Sequence, residues 1–140
     1  MMLIINPAAG RGAYKNKFAE AMHLLSKAGY RVDLYFTTAH GDATKYAADF
    51  GAHYELIACI GGDGTLSEVI AGMLTLEKPP KLGYLPMGTS NDVASTIGLP
   101  KNNCLEAVKH MLTGTPHPYD VGRFNGERTF AYIAAFGAFT

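Results

Sequence analysis

The sequence is poor in the residues that build disulfide frameworks, metal clusters and membrane spans. It has two cysteines, Cys59 and Cys104, and neither belongs to a CxxC pair, which argues against a disulfide or zinc framework. The five histidines form no HExxH pattern, so we expect surface or packing residues rather than ligands. No apolar run reaches the roughly 20 residues that cross a bilayer. The start, MMLIINP, lacks the features of a signal peptide. We therefore expect a protein of the reducing cytoplasm.

Net charge is also lacking. Twelve basic residues balance twelve acidic ones, so there is no bulk electrostatic reason to expect nucleic acid or an anionic membrane surface as a partner. A local basic cluster is not excluded. The sequence is instead rich in apolar residues: 48% of its residues are hydrophobic and 17% are charged. This composition is typical of a globular protein, and a chain of 140 residues predicts one domain, 1–140.

The chain ends in an apolar segment, FAYIAAFGAFT, that no polar tail follows. Natural C-termini are usually exposed and polar, so we expect a fragment whose parent continues. Alternation in this segment favours a buried strand that packs on the rest of the protein over a lipid-binding surface. Exposing that strand should make the chain associate with itself, so a homodimer is an expected form.

Short apolar runs alternate with amphipathic segments along the chain. Alternating strands and helices predict an α/β fold with a mostly parallel sheet and helices on both faces. Ligands bind such sheets at the carboxyl ends of the strands. Near the end, two strands at 119–124 and 128–136 flank Asn125-Gly126, which predicts a C-terminal β-hairpin. The other predicted strands are 2–5, 32–36, 56–60 and 82–85, and the predicted helices are 14–28, 42–50, one from the glycine turn to about 74, 91–97 and 104–112.

The most informative stretch is ELIACIGGDGTLSE at residues 55–68. An apolar run ends in Gly61-Gly62-Asp63-Gly64-Thr65 and a helical apolar period follows, which predicts strand, glycine turn and helix. We expect the three glycines to take φ > 0 and to clear space for a ligand, and the helix start to favour a phosphate. A carboxylate in that turn makes sense if Asp63 also holds a divalent cation or a hydroxyl nucleophile. The alternative is a tight turn with an Asp cap.

Three further motifs fall at predicted strand ends or in the last strands. Residues 6–12, NPAAGRG, follow the first strand, and Arg11 can grip phosphate oxygens. They form neither a GxGxxG fingerprint nor a P-loop. Residues 86–92, PMGTSND, follow the fourth strand, and Asp120 lies in the first strand of the predicted hairpin. Taken singly, these motifs are also consistent with an ordinary loop, a helix N-cap and a strand-edge aspartate in water.

Together, NPAAG, GGDGT, GTSND and DVG resemble, in order and spacing, the diacylglycerol kinase catalytic domain. That family includes bacterial lipid kinases and is related to sphingosine and ceramide kinases. The resemblance covers essentially the whole chain. GGDGT alone is shared with NAD kinases, whereas the full set is specific for the lipid kinases. The resemblance implies a three-layer, Rossmann-like, ATP-binding domain of the NAD kinase and diacylglycerol kinase N-terminal type. It also implies a second, mostly β domain beyond this chain that closes the cleft and carries the general base.

The resemblance also implies roles for individual residues. Catalysis falls to Asp63, Asp120 and Arg11, and Mg²⁺ is held through water by Asp63, Asp92 and Asp120. The family often has an aromatic residue where this chain has Val93, which we interpret as a change in packing. The implied nucleotide-binding residues are Asn6, Pro7, Gly10, Thr37 or its neighbour Thr38, Gly61, Gly62, Asp63, Gly64, Thr65, Glu68, Gly88, Thr89 and Asn91.

The activity that the resemblance implies is transfer of the γ-phosphoryl group of ATP to the hydroxyl of diacylglycerol or a related lipid, giving phosphatidic acid. ATP and Mg²⁺ are then required, and contact with a membrane is peripheral, through the lipid. Two alternatives stay open: an NAD kinase-like phosphotransferase, which shares GGDGT, and a non-catalytic nucleotide-binding module. A Rossmann oxidoreductase is disfavoured because GxGxxG is missing.

Overall fold

Strands and helices alternate along most of the chain. A computed structural model describes residues 1–115, 122–124, 128–130 and 138–139. The elements in chain order are β1 (Met2–Ile5), α1 (Phe18–Lys27), β2 (Asp33–Phe36), α2 (Asp42–Phe50), β3 (Leu56–Gly61), α3 (Asp63–Met73), β4 (Lys81–Pro86), α4 (Asp92–Ile97), α5 (Cys104–Thr113), β5 (Gly122–Phe124), β6 (Arg128–Phe130) and β7 (Ala138–Phe139).

The main sheet has the strand order β2-β1-β3-β4-β7. The first four strands are parallel, and the short β7 runs antiparallel to β4. β5 and β6 form a separate antiparallel pair, with Arg123 opposite Thr129. The predicted mostly parallel sheet is therefore confirmed. The predicted C-terminal hairpin is confirmed for the paired strands β5 and β6, which have three residues each.

Helices cover both faces of the sheet, so the domain has three layers. Met2 and Ile4 of β1 pack with residues of α2, α3 and α4 on one face. Leu3 and Ile5 pack with residues of α1 and α5 on the other. All four of these β1 side chains are fully buried. Burial on both faces explains why β1 and β3 are continuous apolar runs rather than alternating ones, and the three-layer prediction is confirmed.

The strand order creates a crevice at one edge of the sheet. From β1 the chain crosses to β2 on one side, whereas from β3 it crosses to β4 on the other. The loops that follow β1 and β3 therefore diverge between these two adjacent strands. Such a reversal of strand order, at the carboxyl ends of parallel strands, is where open α/β sheets bind ligands.

The start of α1 is the largest departure from the predicted boundaries. The helix begins at Phe18 rather than near Tyr14, because residues 9–11 and 13–15 form two short 3₁₀ turns instead. Gly12 between them has φ 83°, and Lys17 before the helix has φ 61°. In the part of the chain described, no helix combines the length and apolarity that a membrane crossing requires.

Candidate functional site

A cleft of about 660 Å³ opens at the crevice between the ends of β1 and β3. Its walls come from the loop after β1, the loop after β2 and the first turns of α3. Six predicted nucleotide-binding residues line it: Asn6, Pro7, Thr37, Gly64, Thr65 and Glu68. The remaining lining residues are Ala8, Thr38, Ala39, His40 and Ala43.

Asn6 joins the two loops that diverge at the crevice. Its backbone N–H donates to the Ile60 carbonyl over 2.9 Å, which continues the β1–β3 pairing. Its side-chain Nδ2 donates to Oγ1 of the buried Thr65 over 3.2 Å, and its Oδ1 accepts from the Ala8 N–H over 3.1 Å. One side chain therefore fixes the turn after β1 and ties it to the first turn of α3.

The glycines of the GGDG turn are needed for space and not for left-handed backbone. None of the three has a positive φ, so that expectation was wrong. A Cβ on Gly61 would lie 2.4 Å from Thr65 Oγ1, and one on Gly62 would lie 3.3 Å from Gly88 Cα. A Cβ on Gly64 would meet nothing within 4 Å. Gly61 and Gly62 thus permit close packing inside the protein, whereas Gly64 leaves open room beside the cleft.

The N-terminus of α3 has no side-chain cap within the described structure. Its N-cap is Gly62, and the first intrahelical bond runs from Leu66 N to the Gly62 carbonyl. By contrast, α5 is capped by Asn103, whose Oδ1 accepts from Glu106 N over 3.1 Å. The amides at the start of α3 therefore keep their hydrogen-bonding capacity, and the helix dipole adds positive potential there. This arrangement suits an anion.

The loops after β1, β3 and β4 pack tightly on one another. Gly10 has φ 54°, and a Cβ on it would lie 2.2 Å from the Met87 carbonyl oxygen. Gly88 approaches Gly62 so closely that a Cβ added to Gly88 would lie 2.5 Å from the Gly62 Cα. Gly88 N donates to Asn91 Oδ1 over 2.7 Å, and Asn91 Nδ2 donates to the Gly88 carbonyl over 2.8 Å.

Several predicted nucleotide-binding residues therefore lie in this loop cluster and not on the cleft wall. Asn91 is 1% exposed and Gly88 is buried, so the contacts observed for them fix the loop after β4. Thr89 is exposed beside them. A direct role for these residues toward a nucleotide stays a prediction, as it does for Gly10, Gly61 and Gly62.

Asp63 caps the helix that follows β4. Its Oδ2 accepts from Asp92 N over 2.8 Å, and its Oδ1 accepts from Val93 N over 3.1 Å. Asp63 is therefore a helix cap, but it caps α4, about thirty residues away in sequence, and not its own helix α3 as the tight-turn alternative expected. Each carboxylate oxygen has further lone pairs, so capping and a second role toward metal or substrate are compatible.

The predicted metal residues are partly brought together. The Asp63 carboxylate touches the backbone of Asp92, whose own side chain is exposed. Asp120 lies outside the described residues. Among those described, no group of three or more His, Cys, Asp or Glu side chains is placed to hold a metal ion. The Asp63 carboxylate alone is compatible with Mg²⁺, which keeps several waters and takes only one or two protein carboxylates.

Carboxylates also hold the wall formed by residues 37–41. Asp42 Oδ2 accepts from Thr38 N over 2.7 Å, from Ala39 N over 2.9 Å and from Thr38 Oγ1 over 3.0 Å. The Thr38 amide, with smaller help from Ala39, lowers the pKa of this exposed carboxyl group. Glu68 Oε1 accepts from Gly41 N over 3.2 Å and lies 2.8 Å from His40 Nδ1.

Arg11 does not line the cleft. It is exposed, with φ 57°, on the loop after β1. Four residues that line the cleft were not predicted: Ala8, Ala39, His40 and Ala43. Of these, His40 had been expected to be a surface or packing histidine. The available signal was its position, because His40 comes shortly after the carboxyl end of β2, at the same sheet edge as the other motifs.

Comparison with known proteins agrees with this architecture. Residues 1–124 match the family model of the diacylglycerol kinase catalytic domain. A diacylglycerol kinase of Bacillus subtilis (strain 168) is 37% identical over 139 residues, which is 99% of this chain and 46% of that protein. Two solved structures from Bacillus anthracis str. Sterne each match 92% of this chain. One, a diacylglycerol kinase, has a TM-score of 0.71 at 35% identity, and this chain covers 43% of its length. The other has a TM-score of 0.81 at 37% identity and is covered over 44%.

The chain spans less than half the length of the curated relatives that it matches. The covered shares are 46% for the Bacillus subtilis protein and 44% for a diacylglycerol kinase of Staphylococcus aureus (strain JH9). The matched segment contains the complete cleft described above.

Proposed function

The chain belongs to the diacylglycerol kinase catalytic domain family, and from this premise we propose that it is the ATP-binding part of a lipid kinase. The reaction is transfer of the γ-phosphoryl group of ATP to the hydroxyl of diacylglycerol or a related lipid, giving phosphatidic acid. The rest of the active site, including the general base that takes the hydroxyl proton, comes from a second domain beyond residue 140.

The observation that carries the proposal is the uncapped N-terminus of α3 beside the open space at Gly64. The free amides at the start of α3 would donate to phosphate oxygens, and the loop held by Asn6 would form the opposite wall. Without a side chain at Gly64, the phosphates can approach the backbone. Phosphoryl transfer needs mainly such positioning and charge stabilisation.

Mg²⁺ would neutralise phosphate charge at this edge when it is bound. Asp63 and Asp92 are the residues that would hold it, and support comes from Asp63 lying at the start of α3 and accepting a hydrogen bond from the Asp92 N–H. Asp120 is the proposed third member of the set. Arg11, with Lys15 after it, would stabilise the transferring group from the exposed loop after β1.

The NAD kinase alternative rests on GGDGT alone, whereas the family match extends over residues 1–124. The second alternative, a nucleotide-binding module without turnover, describes what the 140-residue chain would do by itself, since it spans less than half of its relatives. We therefore expect the isolated chain to bind ATP without consuming it.

The test compares two acceptors for the full-length protein. Phosphate transfer from ATP is measured with diacylglycerol in mixed micelles and with NAD. We expect transfer to the lipid only, and loss of that transfer when Asp63 is replaced by Ala. Transfer to NAD in place of lipid, or near-normal turnover of the Asp63→Ala variant, would contradict the proposal.

A further inference from the structure

The outer edge of β2 has no neighbouring strand in the described structure. β2 is the last strand of the main sheet on the side opposite β7, and it pairs only with β1 there. Asp33 N donates to the carbonyl just before β1, and Thr37 N donates to the last carbonyl of β1. Because the backbone groups of successive residues point to opposite sides of a strand, those of Val32, Leu34 and Phe36 point away from the sheet.

Unpaired backbone groups make this edge a template for a further strand. Within the described residues, no hydrogen bond uses the N–H of Val32, Leu34 or Phe36. The Phe36 carbonyl accepts from Tyr46 Oη over 3.0 Å, whereas the carbonyls of Val32 and Leu34 have no partner in the same part of the chain. An edge of this kind pairs with another strand unless something blocks it.

A row of apolar side chains lies along one face of the same edge. Tyr30, Leu34 and Phe36 are 37%, 44% and 41% exposed. Val32 belongs to the same row and packs, partly buried, against the core on the side of α1 and α5. Since alternate residues of a strand share a face, a second strand beside β2 would cover these side chains.

The other face of the edge carries two charges of opposite sign. Arg31 and Asp33 are both exposed, and neither takes part in an ion pair within the described residues. Tyr54 Oη donates to Asp33 Oδ2 over 2.7 Å, which holds the carboxylate in place. Charges of one sign would block an edge by repelling an identical edge. Opposite charges two residues apart instead allow two identical edges to attract each other.

The position of these charges selects one register for such a pair. Two identical strands pair antiparallel about a two-fold axis, with outward-pointing residues opposite one another. In a pair centred on Val32, Arg31 of each copy faces Asp33 of the other, and Leu34 faces Tyr30. In a pair centred on Asp33, the two carboxylates would face each other, and in a pair centred on Leu34 no opposite charges meet. Opposite charges across strands are stabilising and like charges are destabilising, so the register centred on Val32 is favoured.

We propose that β2 is a dimer interface, at which a second copy of the protein pairs antiparallel in the register centred on Val32 and joins the two main sheets. The occupant is a second copy because the Arg31 and Asp33 pattern is complementary to itself. The interface lies at the sheet edge opposite the apolar C-terminal segment, from which self-association was expected. It is independent of the proposed kinase activity, since neither charged residue lines the cleft.

The first test reverses the two charges in the full-length protein and measures the dimer dissociation constant by sedimentation. The variants are Arg31→Asp, Asp33→Arg and the double variant that exchanges the two residues. Lys78→Asp is the matched control, because Lys78 is an exposed lysine in the loop after α3.

We expect the wild type to be dimeric at micromolar concentration. Each single reversal should raise the dissociation constant at least about 10-fold, because both symmetric ion pairs become like-charge pairs. The double variant restores opposite charges, so its dissociation constant should return to within about 3-fold of the wild type, as should that of Lys78→Asp. Rescue by the double variant distinguishes loss of pairing from loss of folding.

The second test reads the register by disulfide cross-linking. Facing residues of a hydrogen-bonded antiparallel pair have Cα atoms about 5.5 Å apart, which suits a disulfide. Val32→Cys should therefore cross-link two copies under mild oxidation. Leu34→Cys is the matched control, because its two copies would lie on the order of 14 Å apart along the strands. The native Cys59 and Cys104 are buried.

Three results would overturn the inference and leave the kinase proposal untouched. The first is a full-length protein that is monomeric at every concentration, as expected if the second domain or another protein covers β2. The second is a dimer that the single reversals do not weaken, or that the double variant does not restore. The third is cross-linking through Leu34→Cys and not through Val32→Cys.

Discussion

At the scale of single residues, two glycines of the same helix serve opposite purposes. Gly64, in the first turn of α3, faces open space, so a methyl group there meets no protein atom within 4 Å. Gly72, near the end of α3, lies so close to α2 that a methyl group would be 2.3 Å from the Thr44 carbonyl oxygen and 2.8 Å from Ala47 Cβ. The first glycine leaves room for a ligand and the second allows helix packing.

We predict that Gly64→Ala and Gly72→Ala separate binding from stability. Gly64→Ala should raise the free energy of unfolding by up to about 1 kcal/mol, because alanine loses less chain entropy in a helix, and should weaken ATP binding at least several-fold. Gly72→Ala should lower the free energy of unfolding by about 1–3 kcal/mol through overpacking. It should leave the ATP affinity of the folded protein unchanged. Urea unfolding and ATP titration of both variants check this. Unchanged ATP affinity in Gly64→Ala would contradict the assignment of Gly64 to the site.

Asp63 and Asp92 form a second matched pair. Because Asp63 caps α4, Asp63→Ala should lower the stability of the metal-free chain by about 0.5–2 kcal/mol. Asp92 has an exposed side chain, so Asp92→Ala should change the stability of the metal-free chain by less than about 0.5 kcal/mol. Urea unfolding in the presence of EDTA measures both. Equal stability of Asp63→Ala and the wild type would mean that the cap contributes nothing.

At the scale of elements, the loop between β2 and α2 depends on the charge of Asp42. The Thr38 and Ala39 amides lower its pKa below the ordinary value. A carboxyl group whose pKa is depressed by folding stabilises the protein above its unfolded pKa, about 3.9. That contribution is lost as the pH falls through the lower, folded pKa.

We therefore predict that Asp42→Asn flattens the acid limb of the stability curve below about pH 4. The free energy of unfolding is measured from pH 5 to pH 2 for the wild type and the variant. Asp49→Asn is the control, since Asp49 is an exposed carboxylate later in the same helix. An acid limb in Asp42→Asn as steep as that of the wild type would show that these hydrogen bonds do not stabilise the folded state.

The bounds of a helix could be predicted where start and stop residues in the local sequence set them. α2 has the predicted bounds, Asp42–Phe50, because an aspartate precedes the apolar period and a glycine follows it. The start of α1 was placed too early because Tyr14 and Phe18 have helical spacing. The left-handed Lys17 that precedes the helix has no local sequence signal, since lysine rarely takes that conformation.

Contacts between distant loops could not be predicted from the sequence. The motifs indicated that three loops meet at one sheet edge, and six predicted residues do line the cleft. Local patterns do not reveal that Gly62 packs on Gly88, or that Asp63 caps a helix about thirty residues away. These pairings depend on the strand order, which brings the ends of β3 and β4 together.

At the scale of the whole molecule, one buried cysteine lies on each face of the sheet, so thiol labelling can probe both faces. Cys59 is buried with α2, α3 and α4, and Cys104 is buried with α1 and α5. Burial raises the pKa of the Cys59 thiol and raises that of Cys104 to about 12. Because the thiolate is the reactive form, neither should react with a thiol reagent in the folded chain.

We predict that both cysteines react with a thiol reagent at one common rate, set by global unfolding. ATP with Mg²⁺ at 100 times its Kd should slow both reactions about 100-fold, since a ligand that binds only the folded state adds about 2.7 kcal/mol at that concentration. The rates are followed by mass spectrometry of each cysteine peptide. Fast labelling of either cysteine with no effect of nucleotide would contradict a single cooperative domain that binds ATP.

The central claim is that a triphosphate binds at the uncapped start of α3, in the cleft between β1 and β3. The most direct measurement is a titration of the ¹⁵N-labelled chain with ATP and Mg²⁺, followed by the NMR shifts of the backbone amides. The account predicts the largest shifts at Ala8, Thr38, Gly64 and Thr65, with small shifts on α5 at the opposite face. An absence of shifts at saturating ATP, or the largest shifts on α5, would contradict it.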